Sequence, residues 1–386
     1  MSLRPGTPRL LRQMNDRAAL ELLVAHGPLT RGELGELTGL SRVTSGQLLA
    51  RLEERGLVTT AGERPGGRGP NAALYAVDPT SAYVAALEVL PDSVTAAVAD
   101  ITGEVMAEVT VDPTEAADPV GIVRNAVLRA CATASVDLAR LRCFVIGTRG
   151  VVDPATGDVR YSFDLPAWHV GVLAGLRAGL GESVVIENDV NLVALAEQAY
   201  GVAMGVDDFV VLWTGVGQGL GVMLGGRLHR GISGGAGEVG WLPVPGEPLP
   251  ADVTDPQSGS FQRLVGNTAL AEIAAGHGLA AAPVADLVRT AVATGNSGFL
   301  EDLAGRLAVG VAAVAVVLDP GLVVLSGDIG RAGGWELARR VEEAVARVCP
   351  SRPAVAVTQV EGNPVLRGAL VAALDQAREQ VFSSTV

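Results

Sequence analysis

An α/β body with a small helical module in front of it is the architecture this sequence predicts. Three observations lead there. The chain has 386 residues, too many for one small core. Beyond residue 79, two groups of three short β-type runs are each followed by alternating helical and strand-like segments. The charge is also uneven. The whole chain carries −13, yet residues 1–77 hold ten arginines against seven acids, about +3, which leaves about −16 on the rest.

The N-terminal module reads as three helices and a hairpin. Residues 9–26 place Leu10, Leu11, Met14, Ala18, Leu22 and Leu23 at helical spacing, and Gly27 with Pro28 ends that helix. Thr30 with Glu33 three residues on is a capping box that opens a second helix, with Leu34 and Leu37 inward and Gly39 as its stop. Ser41 caps a third helix, with Val43, Leu48, Leu49 and Leu52 inward and Gly56 at its end. Two β-type runs, 57–60 and 72–77, then flank a tip rich in Gly, Pro and Arg. This is the plan of a winged helix-turn-helix, expected over residues 1–78.

In that plan the start of the third helix enters a major groove. Arg42, Thr44, Ser45 and Gln47 stand there with groups able to read base edges. Arg51 and Arg55, further along, suit backbone phosphates. Arg64 and Arg68 on the wing suit phosphates or a minor groove. The expected partner is a double-stranded DNA operator. A winged helix used for protein contact alone would not need arginines on both of these surfaces.

The body begins after the connector at 78–81. Turns at Pro91 with Asp92 and at Thr102 with Gly103 divide the first group of strands. A helix is expected near 120–134, a buried strand in CFVIGTRGVV, a helix over 168–180, a strand in SVVIEND and a helix over 191–200. The stretch 209–241 then repeats the plan, with strands at 209–213, 219–224 and 227–229. Helices fill most of 262–318. A strand at 321–327, a helix at 334–348, a strand at 354–360 and a helix at 364–382 complete the chain. Two similar halves imply a duplicated, two-lobed fold of the actin-like and sugar-kinase-like kind. The lobes are placed at 79–200 and 201–386, with the last helix returning to the first lobe.

Composition narrows the setting. Cys131, Cys143 and Cys349 are far apart and form neither a disulfide framework nor a zinc spacing, which fits a reducing cytoplasm. The first residues lack the apolar segment of a signal peptide. The longest apolar run, 309–318, is about half a membrane span and reads as a buried helix. No membrane partner is expected. His169, His229 and His277 share no metal spacing.

Five segments in combination carry a resemblance. They are the N-terminal module, GTRGVVDPATG, IENDVNLVALAE, TGVGQGLGVMLGGRLHRGISGGAGEVG and VVLSGDI. Together they resemble the ROK family (repressors, open reading frames and sugar kinases), and within it the winged-helix repressor branch, over nearly the whole chain. In the family's kinases the Asp of an Asn-Asp-x-Asn loop is the base toward the sugar hydroxyl. The resemblance puts Asp189 in that place, beside Asn188. It gives Glu238 the role of holding sugar hydroxyls.

The departures are as informative. The family's kinases meet ATP phosphates with Asp-x-Gly-Gly-Thr; here the turn reads Glu88-Val89-Leu90-Pro91-Asp92, without glycines and with a proline that removes a donor. Trp241 replaces the histidine that supports both sugar and zinc. The family's zinc cysteines fall on Val253, Asp255 and Ser260, so no thiolate remains. Gln262 replaces a glutamate, and Arg149 stands where proline is usual. No cofactor is therefore expected: the zinc site is lost and ATP binding is not supported, because phosphoryl transfer needs base, phosphate and Mg²⁺ positioned together.

What this implies is a repressor without kinase activity, acting as a dimer or tetramer. A sugar, phosphosugar or other metabolite in the cleft would be its effector. Asn188, Asp189, Glu238, Trp241, Gln262 and Arg149 are the residues expected to meet it. Trp241 would stack on a ring, and Arg149 would pair with a phosphate or carboxylate. Blander roles fit the same residues. Asp189 could cap a helix, Glu238 and Arg149 could form structural ion pairs, Trp241 could fill the space of the missing zinc loop, and Gln262 could belong to a first helical turn. A sugar kinase with a DNA-binding module, and a regulator with a dead pocket, remain as alternatives.

Overall fold

The computed structural model describes residues 8–65, 71–115, 118–162, 165, 168 and 171–383. The N-terminal module comprises α1 (Pro8–His26), β1 (Leu29–Thr30), α2 (Arg31–Thr38), α3 (Arg42–Glu54), β2 (Val58–Arg64) and β3 (Ala72–Val77). The capping box of α2 forms as its sequence requires. Thr30 Oγ1 accepts from Glu33 N at 3.2 Å, and the Glu33 carboxylate accepts from Thr30 N at 2.8 Å. The two-residue β1 pairs with β3, giving a three-stranded sheet in the order β1-β3-β2.

The core of this module is Ala19, Leu20, Leu23, Leu34, Leu48, Leu49 and Leu52. It differs from the expected set in phase. Leu10, Leu11 and Met14 are 47%, 55% and 58% exposed, because the buried residues of α1 lie from Asp16 onward. Leu37 and Val43, also expected inward, are exposed.

The body repeats one topology twice. Its first sheet is built from β4 (Tyr83–Val89), β5 (Val94–Asp100), β6 (Val105–Val111), β7 (Leu141–Thr148) and β10 (Val184–Asn188), in the order β10-β7-β4-β5-β6. Its second uses β11 (Phe209–Thr214), β12 (Gln218–Leu224), β13 (Arg227–Leu228), β14 (Leu322–Ser326) and β15 (Ala354–Val357), in the order β13-β12-β11-β14-β15. In each, an antiparallel meander of three strands is extended by two parallel strands on the side of its first strand. A small hairpin, β8 (Val151–Val152) with β9 (Val159–Tyr161), projects between β7 and β10 in the chain.

Helices cover the sheets. In the first half they are α4 (Pro119–Ala134), α5 (Val172–Leu180) and α6 (Asp189–Tyr200). The second half has α7 (Ser260–Val265), α8 (Asn267–Gly276), α9 (Val284–Thr294), α10 (Ser297–Leu318), α11 (Gly327–Val348) and α12 (Pro364–Ser383). α5 starts later than 168. α11 starts at Gly327, well before the expected 334, and Gly334 takes φ 55 and ψ −155, a non-helical break inside it. The helical period in the sequence restarts at that break. The run 309–318 is not wholly buried: Val311 and Ala315 pack inward, while Val316 and Val317 are 64% and 78% exposed. No helix among the described residues is long and apolar enough to cross a membrane.

The last helix positions everything else. α12 packs on β4, β7 and α6. Its approach to α6 needs Gly368, where a Cβ would lie 1.8 Å from the Leu192 carbonyl oxygen. The far end of α12 meets the N-terminal module. Arg17 of α1 pairs with Glu379 at 2.5 Å, and Arg55, just past α3, donates to the Val381 carbonyl at 3.4 Å.

Candidate functional site

The first candidate surface is the start of α3. Ser41 caps the helix, accepting from Thr44 N at 3.2 Å. Arg42, Thr44 and Gln47 are exposed, and so is Val43, an apolar contact the sequence reading had turned inward. Ser45 cannot read a base here. It is fully buried, its Oγ donates to the Ser41 carbonyl at 3.1 Å, and it packs against Gly35 of α2. Its small hydroxyl serves the close approach of α2 and α3.

The arginines are more committed than expected. Arg51 donates to Asp16 at 2.6 Å, and Arg55 lies 3.6 Å from the same carboxylate. Asp16 is buried, so this pair joins α1 to α3 within the module, and Arg51 is held back from the phosphate role. Arg64 pairs with Glu33, which ties the wing to the cap of α2. Hydrogen bonds from Thr30, and then Arg64, hold the Glu33 carboxyl below its ordinary range. Arg68 lies outside the described residues, as does His169.

The second candidate is a cavity of about 160 Å³ between the two halves of the body. From the first half Arg149, Gly150, Tyr161, Asp189 and Val190 line it. From the second come the glycine loop with Trp213 and Gln218, together with Trp241, Gln257, Gln262 and Asp328. The sequence reading assigned Asp189, Trp241, Gln262 and Arg149 to this place; it missed Tyr161, Trp213, Gln218, Gln257 and Asp328. Trp213 and Gln218 flank the glycine loop directly, a signal that could have found them.

Local structure explains the placement. Asn188 caps α6 by accepting from Asn191 N at 3.0 Å, and its amide donates to the Gly150 carbonyl at 3.1 Å. It is therefore a cap and a tie, and it is not among the residues lining the cavity. Asp189, next in the chain, is left lining the cavity, its Oδ1 accepting from Val190 N at 2.9 Å. Glu187, buried one residue earlier, accepts from Asn191 at 2.9 Å and pairs with Arg230 at 2.6 Å, joining the loop to the second half.

Glu238, expected to meet the effector, is not among the residues lining the cavity; it lies within electrostatic reach of Asp189 and Tyr161. Burial, and then the charge of Asp189, push its carboxyl up to about 7. No ion pair holds it among the described residues, against the structural-pair alternative. Trp241 ends the short turn Val239–Trp241 and meets Tyr161 edge-on, with ring centroids 6.1 Å apart. Its Nε1 is buried without a hydrogen-bond partner among the described residues, as is Gln218 Oε1. Tyr161 donates to the Val253 carbonyl at 3.0 Å, which fastens the β8–β9 hairpin of the first half to the second. Gln262 is buried in α7, and its Nε2 donates to the Val216 carbonyl at 3.4 Å.

The position of the ATP-phosphate turn and that of the zinc site both depart from the family's pattern. The turn after β4 is closed by Leu90 N donating to the Ser93 carbonyl at 2.9 Å, and Pro91 offers no N–H. Glu88, at the end of β4, bonds to Asn363. Burial raises its carboxyl pKa, against the pull of Asn363 and Arg149. A buried acid beside a closed turn is a poor seat for phosphate. Of the positions aligned with zinc cysteines, Val253 is exposed, and Ser260 is buried at φ 55. Among the described residues no cluster of His, Cys, Asp and Glu could hold a metal ion.

Comparison with known proteins fits this geometry. Residues 84–376 match the ROK family, and residues 14–69 match the MarR family. The DNA-binding transcriptional dual regulator NagC of Escherichia coli (strain K12) is 22% identical over 267 residues, 69% of this chain and 65% of that protein. The chain thus spans just under two thirds of that relative's length. A xylose repressor from Caldicellulosiruptor bescii is 25% identical over 240 residues, covering 61% of this chain and 60% of that one. A glucokinase from Thermotoga maritima is 38% identical over 100 residues, 26% of this chain and 32% of the enzyme.

Among solved structures, a ROK family transcriptional regulator described as a homolog of the E. coli MLC protein superposes with TM-score 0.75 at 18% identity, over 97% of this chain and 99% of that one. A ROK hexokinase from Thermus thermophilus superposes with TM-score 0.64 at 26% identity over 77% of this chain and 99% of the enzyme. The module is a winged helix-turn-helix and the body has the sugar-kinase-like fold. With a family model matched across most of its length, this chain belongs to the ROK family.

Proposed function

We propose that the protein is a transcription regulator, a repressor that binds operator DNA through its winged helix and is controlled by a sugar or sugar derivative in the cleft. The observation that carries this reading is the pairing, in one chain, of a DNA-binding module with a kinase-like cleft whose first phosphate turn is closed. The relatives named as regulators and repressors support it. Arg42, Thr44 and Gln47 read the groove. Asp189, Trp241, Gln262 and Arg149 face the effector, with Glu238 behind Asp189. The protein works in the cytoplasm as a dimer or tetramer, because one small module binds DNA weakly and two half-sites correct that. It has no kinase activity and uses neither zinc nor ATP.

The test is to map the genomic fragments the purified protein retains, then measure its affinity for one of them with and without a panel of saccharides. Retention of no fragment above random DNA refutes the regulator reading. ATP-dependent phosphorylation of hexoses or amino sugars at ordinary kinase turnover refutes the claim of lost chemistry.

A further inference from the structure

The cavity does not end at the residues that face a sugar ring. It runs on to the glycine loop after β11. That end is lined by Trp213, Val216, Gly217, Gln218 and Asp328. Trp213 Nε1 and Asp328 Oδ2 both converge on Gly215: they lie 3.4 and 3.9 Å from the point a Cβ there would occupy. Gln218 is buried, with its Nε2 turned to the Gly215 carbonyl at 3.4 Å and its Oε1 unpartnered among the described residues. The side chains at this end thus offer an indole and two acceptor groups, Gln218 Oε1 and the Asp328 carboxylate. A carboxylate repels phosphate, whereas an indole face with nearby acceptors suits a hydroxyl-bearing ring.

From this, and resting on the effector reading above, we propose that the glycine-loop end of the cleft is a second saccharide subsite. The effector is then a disaccharide or glycoside, with one ring among Tyr161, Trp241, Asp189 and Gln262. The second ring lies against Trp213 and donates hydroxyl protons to Gln218 and Asp328. Both groups of residues line one cavity, so a single ligand can touch both. At this end the Asp328 carboxylate disfavours a phosphate.

Isothermal titration of the full-length protein with monosaccharides, their 6-phosphates and α- and β-linked disaccharides tests this. At least one disaccharide should bind about tenfold or more tightly than either of its constituent monosaccharides. Trp213→Ala should remove that advantage while leaving monosaccharide binding in place. Asp328→Ala, at an exposed position that does not threaten folding, should reduce it in the same direction. A monosaccharide that binds as tightly as every disaccharide, or a sugar phosphate that binds more tightly, overturns the second subsite and leaves the sugar-effector reading standing. If no saccharide of either size binds, the effector reading itself fails and this inference falls with it.

Discussion

Replacing Glu238 by glutamine gives the most quantitative test of the cleft. The carboxyl is raised to about 7 by burial and by Asp189. A raised acid stabilises the fold in its protonated form. That contribution is complete below the ordinary carboxylate pKa of about 4.5 and is lost as pH rises through about 7. The whole shift corresponds to roughly 3 kcal/mol as an upper bound, and partial exposure of the side chain reduces it. Glutamine keeps the shape of the protonated acid and never ionises. Wild type and Glu238→Gln should therefore unfold alike near pH 4.5, with the variant becoming progressively more stable up to about pH 8. Urea unfolding of both proteins at several pH values reads this directly. Asp189→Asn should narrow the gap, because it removes the second cause of the shift. Parallel stability curves for wild type and Glu238→Gln across that window would show that Glu238 ionises normally and that the cleft is more open to water than the structure describes.

Gly368→Ala should destabilise the body by about 3 kcal/mol or more, read as a lowered urea midpoint, since the new methyl would meet the Leu192 backbone and separate α6 from α12. Asp16→Ala removes the buried partner of Arg51 and Arg55. It should cost about 2 kcal/mol of module stability while steepening the salt dependence of DNA binding, because Arg51 is released toward phosphate. Arg42→Ala should weaken operator binding by about 1–3 kcal/mol relative to random DNA in a competition gel-shift. Arg17→Ala breaks an exposed pair with Glu379 and should shift stability by less than about 1 kcal/mol, yet change the ratio of DNA affinities with and without effector.

Much of this was legible in the residues because it depends on local rules. The capping box at Thr30 and Glu33 and the meander turns are short-range features, and each formed where its residues stand. Helical spacing gave α1 its length but could not say which half would find a partner, so Leu10, Leu11 and Met14 were turned inward when they are exposed. Ser45 and Arg51 illustrate a second limit. Both lie at the right place on a recognition helix, and both are diverted by partners distant in sequence or on another helix, Gly35 of α2 and Asp16 of α1. Asn188 shows a third: a residue beside a motif acid took the cap, which freed its neighbour to line the cavity. In the cleft, motif residues marked one end. The other end became visible only when the fold brought Tyr161, Gln257 and Asp328 together from separate segments.

The same tertiary contacts would give the effector proposed above a physical route to the winged-helix module. α6 starts at Asp189 in the cavity wall, and its backbone at Leu192 seats directly on Gly368 of α12. α12 then reaches the module through Glu379 on Arg17 and the Val381 carbonyl on Arg55. Arg55 follows the last residue of the recognition helix and shares Asp16 with Arg51. The two ends of this path differ in stiffness. The α6–α12 contact is a glycine-tight seam that tolerates little sliding, so a shift of α6 must carry α12 with it. The α12–α1 contact includes an exposed ion pair of small net worth, easily exchanged for water. On the proposed function, a rigid link at the cleft and a weak one at the module would let a ligand of modest differential affinity re-pose α3 without disturbing either core.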